Sequence, residues 1–203
     1  MQSVENKIFG RIRRKGPGWT FSNKDFSDCG RAGAVDLALH RLLKAGKIRR
    51  VCRGVYDYPQ YSELLQQTLT PDIDQVAHAL ARRSGWRIQP SGNTALNLLG
   101  LSTQVPAQFS YLSDGPNRQY RIGNTDLTFR KTALKEAGLK HRKSALLVQA
   151  LKALGRDRIT DDIINRVRER FSSSERGRIL RDARYVSGWI VEKIREVCRT
   201  GGE

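Results

Sequence analysis

The apolar residues of the first 60 positions recur at helical spacing. Val4, Ile8 and Ile12 lie four residues apart and predict a first helix. Between residues 31 and 45, apolar positions three and four apart predict a longer helix with one buried stripe, made by Val35, Leu39, Leu42 and Leu43. The other face of this longer helix should remain in solvent, and it carries Asp36, Leu37, His40, Arg41 and Lys44.

A short helix precedes the longer one. Ser22 is the candidate N-cap for a helix over residues 24–28, because a serine hydroxyl accepts from N–H groups that otherwise lack partners. Gly30 then supplies the turn between the two helices. The sequence therefore predicts a helix-turn-helix arrangement.

A basic hairpin follows the longer helix. Gly46 ends that helix, and the spacing of apolar residues over 48–55 predicts an extended hairpin. Residues 19–21 predict a short strand that pairs with this hairpin. Together these elements predict a winged helix-turn-helix domain over residues 1–60, in which the hairpin is the wing.

The remaining residues, 61–203, predict a second domain of mixed structure. Residues 62–69 predict a short helical connector, and a helix opens at Asp72 and ends at Gly85. A short helix over 93–99 and three antiparallel strands over 109–112, 120–122 and 127–130 follow. From Ser144 onward the pattern is helical. The predicted fold class is α+β: an N-terminal winged helix-turn-helix, a small α+β unit with an antiparallel sheet, and a C-terminal helical region.

The charge of the chain points to a polyanionic partner. The formal net charge is +17, and Lys and Arg exceed Asp and Glu by 8 in residues 1–60, by 1 in 61–130 and by 8 in 131–203. Clustered cations gain free energy when they release counterions from phosphates. Membrane phospholipid is the rival polyanion, but no run of about 18 apolar residues and no signal-peptide core occurs. We therefore expect a cytoplasmic protein that does not enter the membrane.

The sequence lacks the motifs that would indicate catalysis or a metal. Three cysteines, Cys29, Cys52 and Cys198, have no metal-like spacing and fit a reducing compartment. No phosphate-binding glycine loop, HExxH, CxxC or GxSxG occurs. Asp72 and Asp74 are charges suited to a helix N-terminus, with a two-carboxylate metal site as the alternative. The expectation is a protein with no catalytic residues, no cofactor and no metal.

Duplex DNA is the polyanion that suits the first 60 residues best. The major groove admits one helix, and the flanking phosphates attract Lys and Arg. The hairpin holds four cations and no acid between Lys47 and Arg53. The predicted DNA contacts are Ser22, Lys24, Arg31, Asp36, His40, Arg41, Lys44, Arg49, Arg50 and Arg53.

Other interpretations of the basic residues stay open at this point. Helix-turn-helix units also serve as protein-interaction modules, and a basic module of that kind would neutralise an acidic toxin or enzyme. A metal-dependent nuclease is a third possibility. Three roles stay open for the arginines between 166 and 184: they extend the DNA footprint, they bind an acidic protein, or they form a solvated helix surface.

Two blocks of the sequence resemble a known family. These are residues 46–59, GKIRRVCRGVYDYP, and residues 90–102, PSGNTALNLLGLS. With them, roughly residues 1–155 resemble the AbiEi-type antitoxins, the transcription-regulator half of AbiE toxin-antitoxin systems, in a short form.

The resemblance implies a repressor and antitoxin. The N-terminal winged helix would bind inverted repeats in its own promoter. Repeated half-sites would in turn call for a dimer or pair of chains. The C-terminal domain, 61–203, would serve the antitoxic action against a nucleotidyltransferase-like toxin, without a stable complex. By position, DNA reading falls on Arg31 and the helix after it, with Arg49, Arg50 and Arg53 as wing contacts.

Overall fold

The chain forms a mixed α+β structure with two compact units. The computed structural model describes residues 3–102, 107–133, 139, 141–186 and 188–199. One unit comprises Met1–Arg87 with Gln119–Leu127, and the other comprises Ile88–Arg118 with Thr128–Glu203. Over the described residues, no helix is long and apolar enough to cross a membrane.

The first unit begins with the elements that the apolar pattern predicts. They are helix α1 (Val4–Lys15), strand β1 (Thr20–Phe21), a 3-10 helix (Asn23–Phe26), helix α2 (Ala32–Lys44), and strands β2 (Arg49–Cys52) and β3 (Val55–Asp57). The three strands form an antiparallel sheet in the order β1-β3-β2. The predicted pairing of residues 19–21 with the hairpin is therefore confirmed for Thr20 and Phe21.

One apolar core holds α1, α2 and this sheet together. Ile8 and Ile12 of α1 and Leu39 and Leu42 of α2 are almost fully buried. Phe21 packs edge-on against Phe26 with their ring centroids 5.4 Å apart. Burial of a large apolar side chain stabilises a fold by about 2 kcal/mol, so this core fixes which face of α2 remains outside.

Residues 62–69 differ from their prediction as a helical connector. They belong to a two-stranded antiparallel hairpin of β4 (Tyr61–Ser62) and β5 (Gln67–Thr68). The Ser62 hydroxyl accepts from the Leu65 N–H, and the Gln66 side chain donates to the Glu63 carbonyl. These local bonds close a turn, and no apolar stripe gives a helix here a core to pack on.

Helix α3 (Ile73–Ser84) belongs to the first unit, so this unit extends beyond residue 60. The Asp72 carboxylate caps the helix by accepting from the N–H groups of Asp74 and Gln75. Gly85 ends it in the left-handed conformation. Within α3, burial and the nearby charge of Arg82 lower the pKa of His78 to about 4, so this histidine is neutral at physiological pH.

A four-stranded antiparallel sheet follows in the chain. Its strands are β6 (Ile88–Pro90), β7 (Gln108–Ser113), β8 (Arg118–Ile122) and β9 (Thr125–Lys131), in the order β6-β7-β9-β8. Three of these strands match the predicted three-stranded sheet, and β6 adds the fourth by pairing with β7. The division between units falls within β8 and β9, with 119–127 assigned to the first unit.

The second unit is completed by helices around one core. These are α4 (Gly92–Leu98), α5 (Arg142–Leu154), α6 (Asp161–Glu169), α7 (Ser173–Asp182) and α8 (Gly188–Cys198). Helices α4 and α5 pack so closely that a Cβ on Gly92 would lie 2.6 Å from the Ala153 Cβ. Apolar residues of these helices share this core, among them Leu147, Val167 and Ile194. The C-terminal helical prediction is therefore confirmed over the described residues.

Candidate functional site

The outward face of α2 presents a row of polar side chains to solvent. Val35, Ala38, Leu39 and Leu42 are buried, which fixes the rotation of the helix. Five of the predicted contact residues are exposed on α2 or at its N-cap: Arg31, Asp36, His40, Arg41 and Lys44. Leu37, half exposed, lies among them. The predicted separation of a buried stripe from an exposed polar face is confirmed.

Two of these side chains also have partners inside the first unit. The Asp36 carboxylate accepts from the Asn23 side-chain amide at 2.9 Å, which links α2 to the preceding 3-10 helix. Arg41 lies 3.9 Å from the Glu5 carboxylate, at the outer limit of an ion pair. Lys24, on the same 3-10 helix, is exposed. The charge on the outer face of α2 is therefore mainly positive.

Ser22 is not placed to contact a ligand, and its prediction as a DNA contact is wrong. The residue is fully buried. Its backbone N–H donates to the Asp25 Oδ2 at 2.8 Å, and its hydroxyl donates to the same oxygen at 3.2 Å. The serine therefore fixes the start of the 3-10 helix, and no part of its side chain reaches the surface.

The hairpin of β2 and β3 carries two exposed cations, Arg50 and Arg53. Neither forms a side-chain hydrogen bond or ion pair with any residue that the structure describes. Lys47, just before β2, is also exposed, and its ammonium lies over the Phe9 ring at 4.9 Å from the centroid. Arg50 is the second residue of β2, and Arg53 lies in the turn between β2 and β3.

Arg49 differs from its neighbours, because its guanidinium already has partners inside the first unit. Its guanidinium donates to both carboxylate oxygens of Asp57, at 3.0 and 2.5 Å, and to the Leu69 carbonyl at 3.1 Å. Only 2% of the Asp57 side chain is exposed. A buried carboxylate needs such a partner, so Arg49 holds the sheet together and its charge is already neutralised.

The turn between β2 and β3 is stabilised by a side chain from beyond residue 60. Arg83 of α3 donates from Nη1 to the Arg53 carbonyl at 2.6 Å. Gly54 has a φ of +75°, and a Cβ built on it would lie 2.7 Å from the Arg83 Cζ. Nothing local in the sequence marks Arg83 for this role, because the contact joins residues 30 positions apart.

Replacing Gly54 by Ala should destabilise the first unit more than replacing Gly46. Both glycines have positive φ, which costs a residue with a Cβ about 1 to 2 kcal/mol. Nothing lies within 4 Å of a Cβ at Gly46, whereas at Gly54 the new methyl group displaces the Arg83 guanidinium. Loss of that hydrogen bond adds about 1 kcal/mol. Urea denaturation followed by tryptophan fluorescence checks this, and equal losses in the two variants would contradict the bracing role of Arg83.

Many arginines of the C-terminal region cap helix ends. Arg158 donates to the Leu154 and Ala153 carbonyls at the end of α5, and Arg168 donates to the Glu196 and Val197 carbonyls of α8. Arg166 and Arg176 bind other carbonyls that follow helices, those of Gly100 and Phe171. Other arginines of α7, α8 and their ends form no hydrogen bond or ion pair with a described residue, and these are Arg178, Arg181, Arg184, Arg195 and Arg199.

Asp72 and Asp74, for which a metal site was the alternative interpretation, both have partners within or next to α3. Asp72 caps α3, and Asp74 lies 3.5 Å from the His78 Nε2. Among the residues described, no group of three or more His, Cys, Asp or Glu side chains is placed to hold a metal ion. The three cysteines are free thiols, two of them buried.

Comparisons with known proteins give a family and a distant structure. The sequence model of DUF6088, a family of unknown function, matches residues 7–179. No curated protein matches the chain. The crystal structure of the RV2827C protein from Mycobacterium tuberculosis is similar at 14% identity, covering 96% of this chain and 76% of that chain, with a TM-score of 0.40.

Proposed function

The chain belongs to the DUF6088 family, and from its own residues we propose that it is a sequence-specific DNA-binding transcriptional regulator. In this proposal residues 1–60 form a winged helix-turn-helix. Helix α1, the 3-10 helix and α2 are its three helices, and β1, β2 and β3 are its sheet. Helix α2 enters the major groove, and the β2–β3 hairpin is the wing.

One observation carries the proposal: an exposed polar helix face lies in the same unit as a hairpin with two unpartnered arginines. A single α-helix fits the major groove of duplex DNA, where base edges offer hydrogen-bond donors and acceptors. Arg50 and Arg53 are free to approach phosphates, because neither is neutralised within the described part of the chain.

The exposed side chains are assigned to base edges or to phosphates according to their position and charge. Arg31, His40 and Arg41 lie on the exposed part of α2 or at its N-cap and are assigned to base edges or the phosphates beside them. Lys24, Lys44, Arg50 and Arg53 are assigned to phosphates. Asp36 is held by Asn23 and is assigned to exclude bases that offer only acceptors at its position.

The proposed regulatory role comes from the resemblance of the sequence to the AbiEi-type antitoxins. We propose a cytoplasmic repressor that binds inverted repeats in pairs and acts as antitoxin to a nucleotidyltransferase-like toxin. Of the two blocks that carry this resemblance, residues 90–102 make structural contacts: the Thr94 hydroxyl accepts from the Ser110 N–H, and Gly92 admits α5. An interaction with an acidic protein is the second candidate, favoured by the unpartnered arginines of α7 and α8.

A binding experiment with selected duplexes tests the proposal. Duplexes enriched from a random pool should bind at least about 1000-fold more tightly than unselected DNA. With about six phosphates neutralised, log K should fall against log salt with a slope near −5. Replacement of His40 or Arg31 by Ala should change the enriched sequence, which fluorescence anisotropy and re-selection measure. Equal affinity for every duplex would contradict sequence-specific recognition.

A further inference from the structure

A basic cleft lies in the first unit at the end of α1. It has a volume of about 800 Å³ and is lined by Arg11, Arg14, Lys15, Trp19, Asp25 and Arg82. Four of these six side chains are cations and one is an acid. None of them is among the residues assigned above to DNA recognition, so the cleft is a separate feature of the unit.

Two of the cations are fixed in place. Arg11 donates to both oxygens of Asp28, at 2.8 and 2.6 Å, and this pairing lowers the pKa of the Asp28 carboxyl to about 2. Arg82 donates to the Asp25 carboxylate and to the Thr20 carbonyl, each at 2.9 Å. These guanidinium groups form an ordered wall of the cleft, and their charges are already paired with carboxylates.

The other two cations are unpaired. Arg14 and Lys15 are exposed and form no hydrogen bond or ion pair with any described residue. The partial negative charge at the C-terminus of α1 favours cations there, but it favours Arg13 equally, and Arg13 does not line the cleft. The dipole therefore accounts for the composition of the last turn and not for the convergence of charges on the cleft.

Trp19 adds a rigid aromatic wall. Its ring lies against Phe21, with centroids 4.8 Å apart, and meets Phe26 edge-on at 5.8 Å. The side chain is only partly buried, so part of the indole faces the cleft. An aromatic surface beside cations suits a ligand that joins a planar base to phosphate, because every base stacks on such a surface.

We propose that this cleft binds the phosphate of a nucleotide, with the free Arg14 and Lys15 as its cationic partners, the carboxylate-paired Arg11 and Arg82 as its wall, and Trp19 as a stacking surface. The nucleotide is either free or part of a nucleic-acid backbone. Binding of a free nucleotide needs neither α2 nor the wing, so this inference is independent of the proposed function.

Calorimetric titration of the full chain with ATP and with pyrophosphate tests the cleft. Both ligands should bind with one saturable site, and ATP should also quench Trp19 emission in a variant where Trp86 and Trp189 are Phe. The double variant Arg14→Gln, Lys15→Gln should bind at least about tenfold more weakly. The control Lys7→Gln, Arg13→Gln removes the same charge from exposed positions of α1 outside the cleft, and should change affinity less than about twofold.

A second titration with duplex DNA separates the two sources of phosphate. If free nucleotides do not bind but Arg14→Gln, Lys15→Gln weakens duplex binding more than the control variant does, the ligand is the nucleic-acid backbone. If nucleotides bind while no duplex binds, the cleft is confirmed and the proposed function fails. Equal effects of the two double variants, or no effect of either on any ligand, would overturn the inference.

Discussion

The double variant Arg50→Gln, Arg53→Gln should bind duplex DNA about 30-fold more weakly than the native chain, whatever the sequence of the duplex. Both side chains are exposed and unpartnered within the described residues, so each is free to neutralise one phosphate. Phosphate contacts position a protein on DNA but carry no sequence information. The loss should therefore be the same for selected and unselected duplexes.

The salt dependence of binding gives this prediction a second measurement. Each phosphate contact contributes about 0.9 to the slope of log K against log salt, so the slope should become shallower by about 2. Lys7→Gln, Arg13→Gln is the matched control, because it changes the net charge equally at exposed positions of α1. Full affinity in the Arg50 and Arg53 variant, measured by anisotropy, would show that this hairpin is not the wing.

Amphipathic helices were the most predictable part of the fold. In α2 the stripe of Val35, Leu39 and Leu42 fixed both the extent of the helix and its buried face. Periodicity sufficed here because a helix buries one face whatever it packs against. The four-stranded sheet was only partly predictable, because the pairing of β6 with β7 joins Ile88 to Ser113, and no local pattern encodes such a partner.

Residues 61–68 show where local propensity misleads. Glu63, Leu64 and Leu65 favour a helix intrinsically, yet Leu64 is 92% exposed at the end of a hairpin. Eight residues are too few to form a helix that packing does not support. The lack of an apolar stripe was the signal against a helix here, and it outweighs the intrinsic helix propensity of these residues.

The exposed face of the site could be predicted from the sequence, but the partners of its individual side chains could not. The outward face of α2 follows from the buried stripe, but residue type alone did not show that Ser22 and Arg49 bind partners inside the first unit. A signal for Arg49 was present: Asp57 lies as far after Arg53 as Arg49 lies before it, so the two face each other in the hairpin. Arg83 carried no such signal.

Replacing Arg49 by Gln should lower the free energy of unfolding of the first unit by about 3 kcal/mol, the largest stability effect expected for a single charged side chain here. The change leaves the Asp57 carboxylate buried without its bidentate partner and frees the Leu69 carbonyl from its hydrogen bond. Urea denaturation followed by tryptophan fluorescence measures the loss, since Trp19 and Trp86 both lie in this unit.

The neighbouring residue provides the control for this loss. Arg50→Gln removes the same charge one position along β2, from an exposed and unpartnered side chain, and should cost less than about 0.5 kcal/mol. The second substitution Asp57→Asn in the Arg49→Gln chain should restore part of the stability, because a neutral amide is cheaper to bury than an unpaired carboxylate. If Arg49→Gln kept native stability and lost only DNA affinity, Arg49 would be a wing contact after all, and the division of the three hairpin arginines into one that holds the sheet and two that meet DNA would be wrong.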